Sequence, residues 1–112
     1  MSLLTWSIFY WMPVPIIENS SIRVWGTGSG LLLIPNAVSS DSEGNVYVVG
    51  YASDRIQKFT GNGTFITTWG SFGTLPGQFD RPFDIAVDSE GSNVYVADTL
   101  NNRIQKFPSS LI

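Results

Sequence analysis

The fold of this chain is decided by the stretch Val94-Tyr95-Val96-Ala97-Asp98-Thr99-Leu100-Asn101-Asn102-Arg103-Ile104-Gln105-Lys106-Phe107, because an earlier part of the chain repeats it. The earlier copy reads Val46-Tyr47-Val48-Val49-Gly50 and then, after a short loop, Arg55-Ile56-Gln57-Lys58-Phe59. Self-similarity at a fixed spacing is the sequence signature of a repeat architecture. The chain of 112 residues therefore contains two copies of one structural unit.

The composition indicates an all-β protein. Hydrophobic residues make up 43% of the chain and charged residues 13%, which is enough apolar material for a packed core. Eleven Gly and six Pro are scattered between short apolar runs, as expected of many turns between short strands. No continuous amphipathic helical pattern is present.

Charge and residue usage exclude several classes of function. The net charge is −3, and the six basic residues are spread along the chain, so no phosphate-binding face and no nucleic-acid partner are expected. The absence of Cys and His removes thiolate chemistry and the commonest metal ligands and general base. We predict no catalytic residue, no metal site and no cofactor. The residues do not decide the compartment, and an extracellular or cell-surface location stays open.

Residues 1–20 differ from the rest of the chain. The run from Leu3 to Met12 is apolar and aromatic, and Pro13 and Pro15 follow it. It is too short for a membrane span, which needs about 20 apolar residues, and it lacks the basic start of a secretory signal. A diverged part of a preceding repeat, a non-standard targeting segment and a chance feature are the three interpretations.

The two units can be followed strand by strand. A strand ending in Trp-Gly occurs at Ile22–Gly26 and again at Ile66–Gly70, and each is followed by a Gly-rich loop. The next strands begin near Ala37 and Asp84, and turns that start at Asp41 and Asp88 follow them. We expect one blade at residues 21–69, with strand 21–25 donated to a preceding blade. A second blade, without its outer strand, is expected at residues 70–112.

Four short strands in a meander of about 40 to 50 residues are typical of a β-propeller blade. The series Arg-Ile-Gln-Lys-Phe, Gly-Asn-Gly and Trp-Gly, followed by Gln78-Phe79-Asp80, Pro82, Ile85-Ala86-Val87-Asp88 and Val94-Tyr95-Val96-Ala97-Asp98, resembles the NHL repeat. The resemblance covers roughly Ile22 to Phe107. It implies blades of a propeller that is commonly six-bladed and mainly serves as a binding platform. The first copy departs from the second at Gly50, where the second has Asp98.

A blade depends on neighbours on both sides to bury its faces. Two interpretations account for a chain with two blades. In the first, several copies of the chain, three for a six-bladed ring, assemble as a homo-oligomer that completes the propeller. In the second, the chain is a piece of a longer repeat protein.

Four residues are singled out as candidate site residues. Tyr51 and Phe72 lie on loops and are the expected aromatic contacts for a ligand, either a protein or a carbohydrate. Asp98 and Arg103 flank one loop and are expected to form a structural ion pair. A cation site at the turn carboxylates, such as Asp41 with Glu43, is the alternative to plain turn chemistry there.

Two functions are compatible with these features. The first is a non-catalytic NHL-type interaction scaffold, in which case the protein is not an enzyme. The alternative is a fragment of a propeller hydrolase or lyase whose catalytic residues lie in blades outside this chain. Related propeller enzymes, such as lactonases and amidating lyases, carry metal ligands or His near the central channel.

Overall fold

The computed structural model describes residues 22–25 and 34–112, and the strands within them form two antiparallel sheets. The four strands of blade 1 are β1 (Pro35–Ser40), β2 (Val46–Gly50), β3 (Arg55–Phe59) and β4 (Phe65–Trp69). The three strands of blade 2 are β5 (Pro82–Val87), β6 (Asn93–Asp98) and β7 (Arg103–Pro108). Short 3-10 helices occupy Thr99–Asn101 and Ser109–Leu111. The predictions for residues 1–20 lie outside the described residues.

Both sheets follow the chain order, β1-β2-β3-β4 and β5-β6-β7, with every neighbouring pair antiparallel. This order confirms the predicted all-β meander and its partial β-propeller architecture. The turns form as expected, because Asp41 Oδ1 accepts the N–H groups of Glu43 and Asn45 at 2.9 Å each. Asp88 Oδ1 accepts Ser92 N in the second unit at 2.8 Å. None of the helices in the described part of the chain is long and apolar enough to cross a bilayer.

The core lies between the two sheets, where β5 packs against β1 and β2. Blade 1 contributes three side chains with no exposed surface, and blade 2 adds further aliphatic residues from β5 and β6. The ring of Phe79, in the connection between the blades, completes the cluster. The buried members are Tyr47, Val49, Ile56, Phe79, Ile85, Val94 and Val96.

The two middle strands differ in burial. The runs that form them, from Val46 to Val49 and from Val94 to Ala97, are apolar throughout, which predicts strands covered on both faces. This holds for β2, where Tyr47, Val48 and Val49 are all buried. In β6 only Val94, Val96 and Asp98 are buried, in strict alternation. The reason is that the face of blade 2 that points away from blade 1 has no neighbouring sheet among the described residues.

The segment Ile22–Trp25 was predicted to be an outer strand, but it is irregular in the structure. A strand needs a paired neighbour, and its expected partners belong to a blade preceding blade 1. Trp25 instead packs a ring centroid 6.3 Å from that of Phe59. It also lies against Gly63, where an added Cβ would be 2.9 Å from the Trp25 ring.

A β-bulge opens each blade. The register of β1 with β2 shifts between Pro35 and Ala37, and that of β5 with β6 shifts between Pro82 and Asp84. The extra residues, Asn36 and Phe83, are both exposed. Because the same irregularity recurs at the same place, it is part of the repeat, and a bulge re-aims the side chain that it carries.

Candidate functional site at the loop end

Three loops meet at the end of the blades where β2 and β6 finish, which we call the loop end. They are the β2–β3 loop (51–54), the β6–β7 loop (99–102) and the connection between the blades (70–81). The connection is tied to both other loops. Arg81 N donates to Asp54 Oδ1 at 2.8 Å, and Leu100 N donates to the carbonyl oxygen of Asp80 at 3.0 Å.

Asp98, at the end of β6, is fully buried and fully hydrogen-bonded. Its Oδ1 accepts Asp80 N at 2.8 Å. Its Oδ2 accepts Arg103 Nε at 2.7 Å, Asn101 Nδ2 at 3.0 Å and Gln105 Nε2 at 3.1 Å. Burial by itself raises the pKa of Asp98, but these hydrogen bonds outweigh it and hold the pKa below its ordinary value. The carboxylate is therefore ionised at neutral pH.

Arg103 connects this buried carboxylate to the backbone of the connection. Its Nη1 donates to the carbonyl oxygen of Thr74 at 2.7 Å, and its Nη2 donates to those of Leu75 and Gln78 at 3.0 Å each. The Nε–Oδ2 contact with Asp98 completes the set of donors. The guanidinium thus fixes three successive parts of a loop that has no regular strand or helix of its own.

Gln105 and Asn101 add further contacts to the same loop. Gln105 Nε2 donates to the carbonyl oxygen of Gln78 at 2.6 Å, while its Oε1 accepts Gly77 N at 2.8 Å. Asn101 Nδ2 donates to the carbonyl oxygen of Gly73 at 2.9 Å. We call Asp98, Asn101, Arg103 and Gln105 together the Asp98 clasp. Sequence reasoning placed Asp98 and Arg103 here but did not identify Asn101 or Gln105, which have no local signal for contacts so distant in sequence.

Blade 1 has the same loop shape with different chemistry. Asp54 occupies the position of Asn102, and both residues have the left-handed φ of 53° that Asp and Asn adopt more readily than most residues. Asp54 is 7% exposed, and its Oδ1 caps the N–H of Arg81 in the connection between the blades. Gly50 stands where blade 2 has Asp98.

The two predicted ligand contacts lie at the loop end in different surroundings. Tyr51 is half-buried, and the Arg81 guanidinium lies 5.5 Å from the centroid of its ring. Phe72 is 69% exposed on the connection, and its backbone bridges that of Phe79. No ring contact joins Tyr51 to Phe72 within the described residues. The bulge residues Asn36 and Phe83 lie at the same end, where the Asn36 amide donates to the Phe83 carbonyl oxygen. Their bulges have no clear signal in the sequence beyond the preceding prolines.

The opposite end, where the hairpin turns lie, holds a polar cleft of about 260 Å³ between the blades, which we call the hairpin-end cleft. Its lining includes Asp41, Glu43, Lys58 and Glu90. Burial raises the pKa of Asp41, but hydrogen bonds from the Asn45 and Glu43 N–H groups and the Asn45 side chain reverse this and lower it overall. The Asp41 oxygens thus serve the turn. Among residues 22–25 and 34–112, no group of three or more His, Cys, Asp or Glu side chains is arranged to hold a metal ion.

The blade geometry, the shared core and the tethered connection define a repeat protein of the β-propeller type. A structure described as that of streptogramin B lyase superposes on 68% of this chain with a TM-score of 0.53 and 22% identity, and 24% of that chain is covered. At this level of identity the comparison supports the fold. The NHL repeat family model matches residues 79–107. Blade 2 is therefore an NHL repeat, and the resemblance drawn from the sequence is confirmed.

Curated relatives share considerably more sequence. The peptidyl-glycine alpha-amidating monooxygenase B of Xenopus laevis is 41% identical over 69 residues, and the mouse (Mus musculus) peptidyl-glycine alpha-amidating monooxygenase is 44% identical over 71. The matches cover 57% and 59% of this chain but only 8% and 7% of the relatives, so the chain spans a small fraction of their length. The prediction that the protein is not an enzyme is contradicted by this finding, because the relatives are named as enzymes.

Proposed function

We propose that this chain supplies two consecutive blades of a propeller enzyme that acts in the amidation of glycine-ended peptides. The single observation that carries the proposal is the 41% to 44% identity to peptidyl-glycine alpha-amidating monooxygenases. The propeller fold of the structural neighbour is compatible with a place in such a propeller. The catalytic groups are proposed to lie in other blades, because this chain has no His.

The face of blade 2 that points away from blade 1, which we call the open face, supports a place within a larger ring. Tyr95, Ala97 and Ile104 occupy the positions of Tyr47, Val49 and Ile56, which have no exposed surface in blade 1 because blade 2 covers them. On the open face Ile104 is 66% exposed. Lys106 lies 5.9 Å from the Tyr95 ring centroid, just as Lys58 lies 5.2 Å from that of Tyr47. A further blade of the same type, from the same polypeptide or from another copy, fits this face.

The Asp98 clasp is proposed to act as scaffold for the enzyme, not as its chemistry. Asp98 has no exposed surface, and its carboxylate accepts four hydrogen bonds. One comes from the backbone of the connection, and the other three come from side chains that also bind the connection. Tyr51 and Phe72 are the proposed contacts with the peptide, because both present aromatic surface at the loop end. Phe72 is the stronger candidate, since an exposed ring on a tethered loop contributes contact area at little cost in conformational entropy.

The test is an activity assay on the longest naturally produced polypeptide that contains this sequence. A peptide ending in glycine is incubated in air with the purified protein and a two-electron reductant, since one atom of molecular oxygen must enter the glycine carbon and the other must leave as water. Mass spectrometry follows the shorter peptide amide and the glyoxylate released from the glycine carbons. The proposal expects amide to accumulate with time and with protein concentration. A folded protein, verified by circular dichroism, that yields no amide from any glycine-ended peptide of a varied set contradicts it.

The contact role of Phe72 has a separate readout. Phe72→Ser is expected to raise KM for the peptide several-fold with little change in kcat, because an interaction made equally in the ground and transition states contributes to binding alone. Leu111→Ser is the matched control, since Leu111 is 81% exposed but lies at the hairpin end. Equal effects of the two substitutions would remove Phe72 from the site.

A further inference from the structure

The β3–β4 hairpin carries a motif that neither the blade packing nor the proposed activity uses. Its turn contains Asn62-Gly63-Thr64, an Asn-x-Thr tripeptide whose middle residue is not proline. This tripeptide is the acceptor pattern for N-linked oligosaccharides in chains that enter a secretory compartment. The tripeptide is common by chance, so the exposure and hydrogen bonding of the asparagine decide whether it can act as an acceptor.

Those surroundings favour an acceptor. Asn62 and Thr64 are both exposed at the tip of the hairpin. Thr64 Oγ1 donates to Asn62 Oδ1 at 3.4 Å, and the Thr60 hydroxyl donates to the same oxygen. Within the described part of the chain, Asn62 Nδ2 has no hydrogen-bond partner. The nitrogen that would carry a sugar is thus accessible, while the side-chain oxygen is already engaged by the hydroxyl that the tripeptide requires.

The hairpin keeps this geometry because its turn is well anchored. Thr60 N donates to the carbonyl oxygen of Thr64 at 2.8 Å, and Thr64 N donates to Thr60 Oγ1 at 3.0 Å. Gly63 has a φ of +94° and lies against the Trp25 ring. The tip is at the hairpin end, remote from the loop end, and outside the core between the blades. A large hydrophilic group attached there would leave both the proposed site and the core undisturbed.

We propose that Asn62 is an N-glycosylation site. Its Nδ2 attacks the anomeric carbon of an oligosaccharide carried on a lipid pyrophosphate. The Nδ2–carbon bond forms, the bond from that carbon to the pyrophosphate oxygen breaks, and the amide loses one proton. The modification is independent of the amidating activity, so failure of one proposal leaves the other standing.

The test directs the full chain into the secretory pathway of cultured animal cells through an added signal peptide. A second tripeptide, Asn19-Ser20-Ser21, lies outside the described residues and is removed by Asn19→Gln in every sample. The remaining chain is expected to migrate more slowly on a gel and to return to its peptide mass after treatment with peptide-N-glycosidase. Asn62→Gln and Thr64→Ala each abolish the shift, whereas Thr64→Ser keeps part of it. Asn45→Gln, in the turn of the β1–β2 hairpin, leaves it unchanged.

Misfolding of a variant does not obscure the result, because chain retained in the cell is analysed together with secreted chain. Glycosidase release in heavy-oxygen water converts a glycosylated Asn62 to labelled aspartate, which is read in the tryptic peptide that begins at Phe59. A sample without the glycosidase accounts for spontaneous deamidation at Asn62-Gly63. Removal of the signal peptide, seen in the same spectra, establishes that the chain reached the lumen. An unmodified Asn62 in such chain overturns the proposal.

Discussion

Arg103 Nε lies 2.7 Å from Asp98 Oδ2, so a carboxylate with no exposed surface is paired with an arginine whose side chain is 30% exposed. The two residues stand at either side of the β6–β7 loop, yet most of the other groups that they bind belong to the connection between the blades. The pair therefore links the β6–β7 loop to the connection that precedes blade 2 in the chain. This coupling sets the first two predictions.

Asp98→Asn is expected to lower the free energy of unfolding by about 2 to 3 kcal/mol. The substitution keeps the shape of the side chain but leaves Arg103 without its counter-ion. It also replaces one acceptor oxygen by an NH₂ group, which faces hydrogen-bond donors and cannot accept from them. Removing one partner of a fully buried pair costs about 3 to 5 kcal/mol, and the partial exposure of Arg103 reduces this. Urea unfolding followed by Trp fluorescence measures the change.

The matched control for that substitution is Asp84→Asn. Asp84 is exposed on β5, and its Oδ1 accepts the N–H of its neighbour Ile85 at 2.8 Å. A change within about 0.5 kcal/mol is expected there, as for most surface substitutions. If Asp84→Asn destabilised the chain as much as Asp98→Asn, the clasp would have no special part in stability.

Acid is expected to weaken the fold through Asp98. Its folded-state pKa lies below the ordinary value of 3.8, so the stabilisation is fully present above that value and is lost as the pH falls through the folded pKa. Asp41 shifts in the same direction and adds to the effect. Because the chain has no His, little change in stability is expected from about pH 5 to pH 8.

The measurement is the urea midpoint as a function of pH for the native chain and for Asp98→Asn. The native chain should lose stability more steeply below pH 3.8, because the variant lacks one of the groups that must be protonated. Parallel curves for the two proteins would mean that Asp98 is not a source of the acid sensitivity.

Gly70→Ala is expected to destabilise the chain by about 2 to 4 kcal/mol, because it combines backbone strain with overpacking. Gly70 has a φ of +103°, and an added Cβ would lie 2.6 Å from the Phe79 ring. Gly77 provides the control, since it has a φ of +84° but open space around the new Cβ. Gly77→Ala should cost only the backbone term, about 1 kcal/mol. Equal losses in thermal or urea unfolding would show that packing against Phe79 contributes nothing.

The open face predicts association of the chain through blade 2. Light scattering at micromolar concentration should find the native chain in assemblies larger than a monomer, because association removes the exposed apolar strand face from water. Ile104→Asp should shift the population toward monomer with little loss of stability. Ile56→Asp, at the equivalent but buried position of blade 1, should unfold the chain. A native chain that is monomeric across this concentration range would contradict the prediction.

The sequence was sufficient for the features set by local chemistry. Asp41 and Asp88 marked their turns, and the apolar run from Val94 to Ala97 marked a strand. That run indicated cover on both faces, whereas only Val94 and Val96 of its members are buried. The bulges at Asn36 and Phe83 escaped prediction because a single unpaired residue leaves the apolar pattern unchanged. Ile22–Trp25 was predicted as a strand from its likeness to Ile66–Trp69, but pairing depends on a neighbour that a pattern cannot supply.

Within the Asp98 clasp, too, some residues could be predicted from the sequence and others could not. Asp98 and Arg103 are five residues apart in sequence and suggested a pair by their charges and spacing. Gln105 is the counterpart of Gln57 in the repeat, so nothing in the sequence marks it as the residue that binds Gly77 and Gln78. Its role depends on where a long Gly-rich connection returns to the sheet, which is a property of the assembled blades and not of any one segment.

The likeness between the open face of blade 2 and the covered face of blade 1 also has an evolutionary consequence. A duplicated gene segment that encodes one more unit would meet, on Tyr95, Ala97 and Ile104, a surface built like the one that blade 2 already fits. No new interface would have to arise by mutation before the longer chain could fold. Growth by tandem duplication is thus built into the geometry of the repeat, and the number of units can change faster than their sequences.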